Sequence, residues 1–111
     1  MLTSAPTEHQ EQVIVCQWLD IRHRRYFAIP NAGKRKPWQA QWLKSEGMKA
    51  GVPDLVIIGN PMIALEMKRE RGGKLSDEQI EWHSVLRNVG WTVIVARGAT
   101  EAIRMLTGLG V

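Results

Sequence analysis

Two acidic residues and a lysine stand on a pair of apolar segments in the middle of the sequence. Asp54 precedes one apolar run, and Glu66 and Lys68 end a second run that follows the turn residues Gly59-Asn60-Pro61. Side chains alternate across a strand, so Glu66 and Lys68 share one face. If the two runs pair as a hairpin, Asp54 lies beside Glu66. Adjacent carboxylates repel unless a cation neutralises them, and oxygen ligands suit Mg²⁺ or Mn²⁺.

Each of these residues also has an ordinary structural explanation. Asp54 is a suitable turn residue after Pro53, and Glu66 with Lys68 is a possible ion pair of small energetic value. For each residue considered alone, the structural explanation is better supported than a role in a metal site. A metal-suited trio placed directly after Gly51-Val52-Pro53 favours the chemical interpretation.

The same residues carry a resemblance to a known family. Pro53-Asp54 followed by Glu66-Met67-Lys68 resembles the PD-(D/E)xK nuclease signature. A longer set of matches, from about Glu11 to Arg97, resembles the VRR-NUC family of virus-type replication-repair nucleases. The matching residues are Pro30-Asn31, Lys34-Arg35, Gly47, Gly51-Val52-Pro53-Asp54-Leu55, Glu66-Met67-Lys68, Gln79 and Trp82. The resemblance implies a restriction-endonuclease-like core and a metal-dependent DNA endonuclease with Mg²⁺ or Mn²⁺ as cofactor.

The resemblance also implies roles for individual residues. Asp54 and Glu66 would be metal ligands, together with the backbone carbonyl of Met67. Lys68 would position the attacking water and lower its pKa, or stabilise the transition state. Gln79 would hold Lys68 or the water in place.

Glu11 and Gln79 have competing explanations. Thr7-Glu8-His9-Gln10 predicts a capping box that opens a first helix, and Glu11 lies on its apolar side. An acid there is either favoured by the helix dipole or acts as a further catalytic residue and metal ligand, and the residues leave both open. The resemblance favours the active-site role for Glu11, since related nucleases often carry an acid on this first helix. Ser76 and Gln79 predict a second capping box. We do not expect one side chain to be cap and catalytic residue at once, and the resemblance favours the functional role.

The chain as a whole predicts one mixed α/β domain over residues 1–111, with a loose arm over residues 1–6. The predicted order is α-β-α-β-β-α-β-α, which gives a small central sheet flanked by helices. Five residues are expected to form the buried side of the first helix: Ile14, Val15, Trp18, Leu19 and Ile21. His83 is expected on a helix surface, and Thr100 is expected to cap the last helix.

Positive charge is concentrated in one segment. The formal net charge is +4, and residues 20–51 contain eight Lys or Arg against two acids. Beside an acidic metal site, this segment predicts contacts with DNA phosphates. The residues proposed for those contacts are Lys34, Arg35, Lys36 and Lys49. The alternative is a charged surface that only maintains solubility.

The remaining expectations concern partners and location. A lone cysteine, Cys16, and a polar N-terminal segment favour a cytoplasmic protein without membrane association. The resemblance implies a bacterial or phage-infected cell and no small-molecule cofactor. Stand-alone relatives resemble homodimers that cleave Holliday (four-way) junctions in replication, recombination or repair. We therefore expect a homodimer, with Trp38 and Trp42 as contact surface, acting on branched DNA. The alternatives are a flap or non-specific nuclease, a non-catalytic nucleic-acid-binding protein and a small interaction protein.

Overall fold

The computed structural model describes residues 5–30 and 36–111. Within these ranges, helices and strands follow the predicted order α-β-α-β-β-α-β-α. The helices are α1 (Glu8–Ile21), α2 (Pro37–Ser45), α3 (Asp77–Asn88) and α4 (Ala99–Gly108). The strands are β1 (Tyr26–Ala28), β2 (Leu55–Ile57), β3 (Ile63–Lys68) and β4 (Thr92–Arg97). The protein is therefore the small mixed α/β domain that the sequence predicted.

The four strands form one sheet in the order β1-β2-β3-β4. Strands β1, β2 and β3 are antiparallel neighbours, and β3 and β4 are parallel. The predicted hairpin is present, with Leu55 opposite Leu65. Since parallel neighbours need a crossover, α3 connects β3 to β4. Strands β2 and β3 are each paired on both sides, and β3, with six residues, is the longer of the two.

The two faces of β3 meet different helices. Leu65 and Met67 belong to the apolar core, which α1 and α4 complete on one face of the sheet. Glu66 and Lys68 point to the opposite face, because side chains alternate along a strand. Helix α3 lies on that second face. The apolar side chains of β3 therefore pack against α1 and α4, and its polar side chains face α3.

Two expectations about the helices are wrong, one on the buried side of α1 and one on the cap of α4. Val15 and Leu19 are buried on α1, but Ile14 and Ile21 are exposed, because α1 packs along a narrow stripe against α4 and β3. Gly98, rather than Thr100, occupies the cap position of α4, since the helix already begins at Ala99.

Helix α2 contributes little to the core. None of its nine residues is buried. In the part of the chain that the structure describes, no helix is long and apolar enough to cross a membrane.

Candidate active site

Asp54 lies at the point where the β2–β3 hairpin ends. Its backbone N–H donates to the carbonyl of Leu65 at 3.1 Å. Its side-chain Oδ2 accepts the N–H of Met67 at 2.7 Å. The carboxylate of Asp54, which directly precedes the first residue of β2, therefore takes the place of a strand partner for Met67. This bond fixes Asp54 beside the segment that carries Glu66.

Glu66 is almost completely buried, with 2% of its surface exposed. Helix α3 supplies a contact to each of its carboxyl oxygens. Gln79 Nε2 donates to Oε2 at 3.1 Å, and His83 Nε2 lies 3.2 Å from Oε1. Gln79 and His83 are four residues apart, so they project from the same side of the helix.

The environment of Glu66 opposes its ionisation. Burial, followed by the charge of Asp54, raises the pKa of Glu66 to about 9, although the nearby Lys68 acts in the opposite direction. Burial also lowers the pKa of His83, with Arg87 and Lys68 adding to the effect. These surroundings favour the neutral form of the Glu66 carboxyl group, and a nearby positive charge would favour the ionised form.

Gln79 serves two purposes with the two ends of its amide. Its Oε1 accepts the N–H of Ser76 at 2.9 Å and its backbone N–H donates to Ser76 Oγ at 3.1 Å, which completes the predicted capping box. Its Nε2 donates to Glu66 at the same time. The cap and a contact with Glu66 are therefore compatible in one side chain, because the cap uses the amide oxygen as an acceptor and the carboxyl group uses the amide nitrogen as a donor.

Lys68 follows Glu66 on the same face of β3. Among the described residues, the contact between His83 and Glu66 is the single one within ion-pair distance, so Lys68 and Glu66 do not form the ion pair that was the structural alternative.

The guanidinium of Arg97 donates to the carbonyl oxygens of Gly72 and Gly73, at 2.6 and 3.0 Å. These bonds anchor the loop that follows Lys68.

The two acids of α1 have different surroundings. Glu11 is buried, and its Oε2 accepts the N–H of Ala99 at 3.0 Å, at the start of α4. It meets the positive end of a helix dipole, although of α4 rather than of its own helix. Glu8 instead lines a cleft together with Asp54, and its charge contributes to the raised pKa of Glu66. Glu8 thus shares a cleft with Asp54, whereas the described hydrogen bond of Glu11 is to the start of α4.

A second cleft, of about 390 Å³, opens on the other side of Asp54. Asp54, Glu66 and Gln79 line it, together with Lys44 and Lys49. Lys49 is one of the predicted DNA contacts, whereas Lys44 was not predicted. Lys36 is exposed at the start of α2. The other two predicted contacts, Lys34 and Arg35, lie outside the described residues.

The donors at this site suit a hard divalent cation. Asp54 and Glu66 offer only oxygen atoms, and they line the same cleft. Within residues 5–30 and 36–111, no group of three acidic, histidine or cysteine side chains is arranged to hold a metal. A cation bound by two carboxylates and water fits this set, since Mg²⁺ commonly retains several waters. Burial is the main cause of the raised pKa of Glu66, and the charge of Asp54 adds to it; a cation between the two carboxyl groups would offset that second contribution.

Sequence reasoning missed three residues near this site. The expectation of a surface position for His83 is wrong, because α3 packs on the polar face of β3 and buries this side chain. Its spacing of four residues from Gln79 was the available signal. Glu8 was interpreted only as part of the capping-box sequence Thr7–Gln10. Its spacing of three residues from Glu11 indicated that the two side chains project from the same side of α1. Lys44 had no signal beyond its position in the basic segment.

Comparisons with known proteins identify the family and the fold. The sequence profile of the VRR-NUC domain matches residues 5–100. A solved structure of a protein described as a VRR_NUC domain protein superposes with a TM-score of 0.76, at 21% sequence identity, over 96% of this chain and 89% of that chain. This likeness shows the fold alone. No curated protein sequence matches the chain significantly. Since the domain profile covers most of its length, the chain belongs to the VRR-NUC family of nucleases.

Proposed function

We propose that the chain is a divalent-metal-dependent endonuclease that hydrolyses DNA phosphodiester bonds, with branched DNA as its substrate. The observation that carries the proposal is the placement of Asp54 and Glu66. The hairpin brings the two acids into one cleft, and the bond from Met67 to Asp54 holds the first acid against the strand of the second. Nucleases of this kind usually use divalent metals, which agrees with the all-oxygen donor set.

Asp54 and Glu66 would hold the metal, together with the backbone carbonyl of Met67. The Met67 N–H points toward Asp54, and the N–H and C=O of one strand residue face the same neighbouring strand. Its carbonyl therefore faces the Asp54 side as well. When bound, Mg²⁺ or Mn²⁺ would stabilise the charge that develops on the phosphoryl and leaving oxygens. Glu8 is placed to accept hydrogen bonds from water in the cleft that it shares with Asp54.

Lys68 would act on the attacking water or on the charged transition state. It shares a face with Glu66, and its charge favours ionisation of that acid. Gln79 would keep the Glu66 carboxylate in a fixed orientation through its Nε2 donor. Glu11 is assigned a structural role in this proposal, as the acceptor for the first N–H of α4.

The path of the DNA follows from the two clefts that meet at Asp54. Lys44 and Lys49 form the basic wall of one cleft, where phosphate groups on either side of the scissile bond would bind. Lys36 extends this basic surface along α2. The other cleft carries Glu8 and is acidic, so it suits cations and water better than phosphate.

The proposal includes a homodimer formed through α2. Trp38 and Trp42 lie one turn apart on this helix and are 62% and 61% exposed. A short helix without buried residues is marginal in water, so a contact with a second copy would stabilise it. A two-fold dimer would present two active sites to a junction with matching symmetry. Analytical ultracentrifugation of Trp38→Glu beside the wild type tests this; a monomeric wild type would contradict it.

Cleavage assays test the activity itself. Labelled four-way junction, flap, duplex and single-stranded DNA would be incubated with Mg²⁺, with Mn²⁺ and with a chelator. We expect metal-dependent cutting with preference for the junction, and loss of cutting in Asp54→Asn and Lys68→Ala. Asn retains the size of Asp54 and removes its charge, which makes it the matched control. Binding without cutting of any substrate would indicate a non-catalytic nucleic-acid-binding protein, and preference for another substrate would indicate a flap or non-specific nuclease.

A further inference from the structure

His83 occupies an unusual position on α3. It is the one buried residue of this twelve-residue helix. A helix that packs on a sheet ordinarily fills such a position with an aliphatic side chain, because burial of a polar group without a partner costs free energy. The partner of His83 is Glu66, and each of the two side chains is only 2% exposed. Two polar side chains have therefore been brought together inside the domain.

The contact with His83 completes a pair of contacts to one carboxyl group. Gln79 Nε2 reaches Oε2 at 3.1 Å, and His83 Nε2 lies 3.2 Å from Oε1. A single hydrogen bond allows a carboxyl group to rotate about its terminal torsion, which is a soft one. Two contacts from a rigid helix, one to each oxygen, remove that freedom. The plane of the Glu66 carboxyl group is thus set by α3 and not by β3 alone.

We infer that His83 is a positioning residue that orients Glu66 for metal binding. The inference rests on the proposed function, in which Glu66 is a metal ligand. Side chains that hold a ligating carboxylate from behind commonly change metal affinity or activity by about 10- to 100-fold when they are replaced. His83 would act in this way from the oxygen opposite to the one that Gln79 holds.

The test compares two substitutions of His83 with different chemistry. His83→Leu fills the space without a hydrogen-bonding group, whereas His83→Gln retains a nitrogen at the position of Nε2. Ser84→Leu, on the exposed side of α3, controls for the effect of a leucine in this helix. Mn²⁺ binding without DNA would be measured by isothermal titration calorimetry, beside the Mg²⁺ concentration that gives half-maximal cleavage. Thermal unfolding would confirm that each variant is folded.

We expect His83→Leu to weaken Mn²⁺ binding by about 10- to 100-fold and to raise the Mg²⁺ requirement by a similar factor. His83→Gln should restore most of both, and Ser84→Leu should behave as the wild type. A merely structural role would lower the unfolding temperature without changing metal affinity. If His83→Leu does not fold, His83→Met provides the same comparison with a more adaptable side chain.

The outcomes separate this inference from the function on which it rests. Wild-type metal binding and cleavage combined with unchanged affinity in folded His83→Leu would overturn the positioning role alone. A wild type that neither binds Mn²⁺ nor cuts DNA would overturn the proposed function and the positioning role together. Equal loss in His83→Leu and His83→Gln, with both folded, would also count against the hydrogen bond as the cause.

Discussion

Gln79 joins the start of α3 to Glu66 on the central strand. Its amide nitrogen lies 3.1 Å from the Glu66 carboxyl group, while the oxygen of the same amide accepts the Ser76 N–H at 2.9 Å. One side chain therefore couples the conformation of a helix terminus to the orientation of an acid. The two ends of the amide differ chemically, so substitutions can separate their contributions.

Gln79→Glu is expected to reduce cleavage while preserving the helix cap. Glu supplies the same acceptor to Ser76, so the contribution of the cap to the unfolding free energy should be retained. The donor to Glu66 is lost, which should lower the cleavage rate by about 10- to 100-fold. Single-turnover cleavage and urea unfolding measure the two effects.

The reciprocal control is Ser76→Ala, which should cost about 1 kcal/mol of stability and leave metal affinity nearly unchanged. Unchanged cleavage in Gln79→Glu would show that the bond to Glu66 has no functional value.

The stability of the metal-free protein is expected to fall as pH rises. The pKa of Glu66 is raised from 4.5 to about 9 in the folded protein. Between these values the unfolded chain has released the proton and the folded protein has retained it, so each increase in pH favours unfolding. One retained proton corresponds to a slope of at most about 1.4 kcal/mol per pH unit.

Urea unfolding in the presence of chelator, repeated across this pH range, measures that slope. Glu66→Gln should remove the contribution of this group, because it cannot ionise. Identical pH profiles for the wild type and Glu66→Gln would show that Glu66 is not held protonated.

Replacement of the two acids of α1 should have opposite consequences. Glu11→Ala removes the acceptor for the Ala99 N–H, so we expect a loss of about 1 to 2 kcal/mol in unfolding free energy. Glu8→Ala leaves that bond intact and should reduce cleavage with little change in stability. Unfolding and cleavage assays on both variants decide the assignment. Normal stability but abolished metal binding in Glu11→Ala would return Glu11 to the active site.

Gly51 holds the segment before Asp54 against α3. Its φ of +90° is unfavourable for other residues, and a Cβ atom here would lie 2.5 Å from the backbone carbon of Glu78. Gly51→Ala should therefore displace this segment, lower stability by more than about 1 kcal/mol and reduce cleavage. Gly108→Ala is the control, since nothing lies within 4 Å of a Cβ at that position. Wild-type cleavage by Gly51→Ala would mean that the segment adapts without moving Asp54.

Much of the fold was predictable because its signals are local. Alternating side chains and the turn at residues 59–61 predicted the β2–β3 hairpin and the placement of Asp54 beside Glu66. The capping boxes at Thr7 and Ser76 predicted where α1 and α3 begin. These features depend on neighbouring residues, so the sequence is sufficient for them.

The missed features depend on how distant elements pack. His83 is buried because α3 lies on the polar face of β3, which periodicity along the helix does not reveal. Ile14 and Ile21 are exposed because α1 meets its neighbours along a narrow stripe. Glu11 contacts Ala99, a residue far away in the chain, and no local pattern indicates that pairing. The separate donor and acceptor of the Gln79 amide likewise become relevant only when Glu66 is in place.

The unequal lengths of the strands next to the two acids have a consequence for hydrogen exchange. Glu66 lies within a six-residue strand, whereas Asp54 precedes a strand of only three residues. Amide protons of β3 should therefore exchange most slowly, through global unfolding, and those around Asp54 through local opening. A cation held by both carboxylates would tie the residues around Asp54 to β3 and so hinder their local opening. Loading of the site would then appear as slower exchange in the segment that leads into β2, with little change in β3 itself.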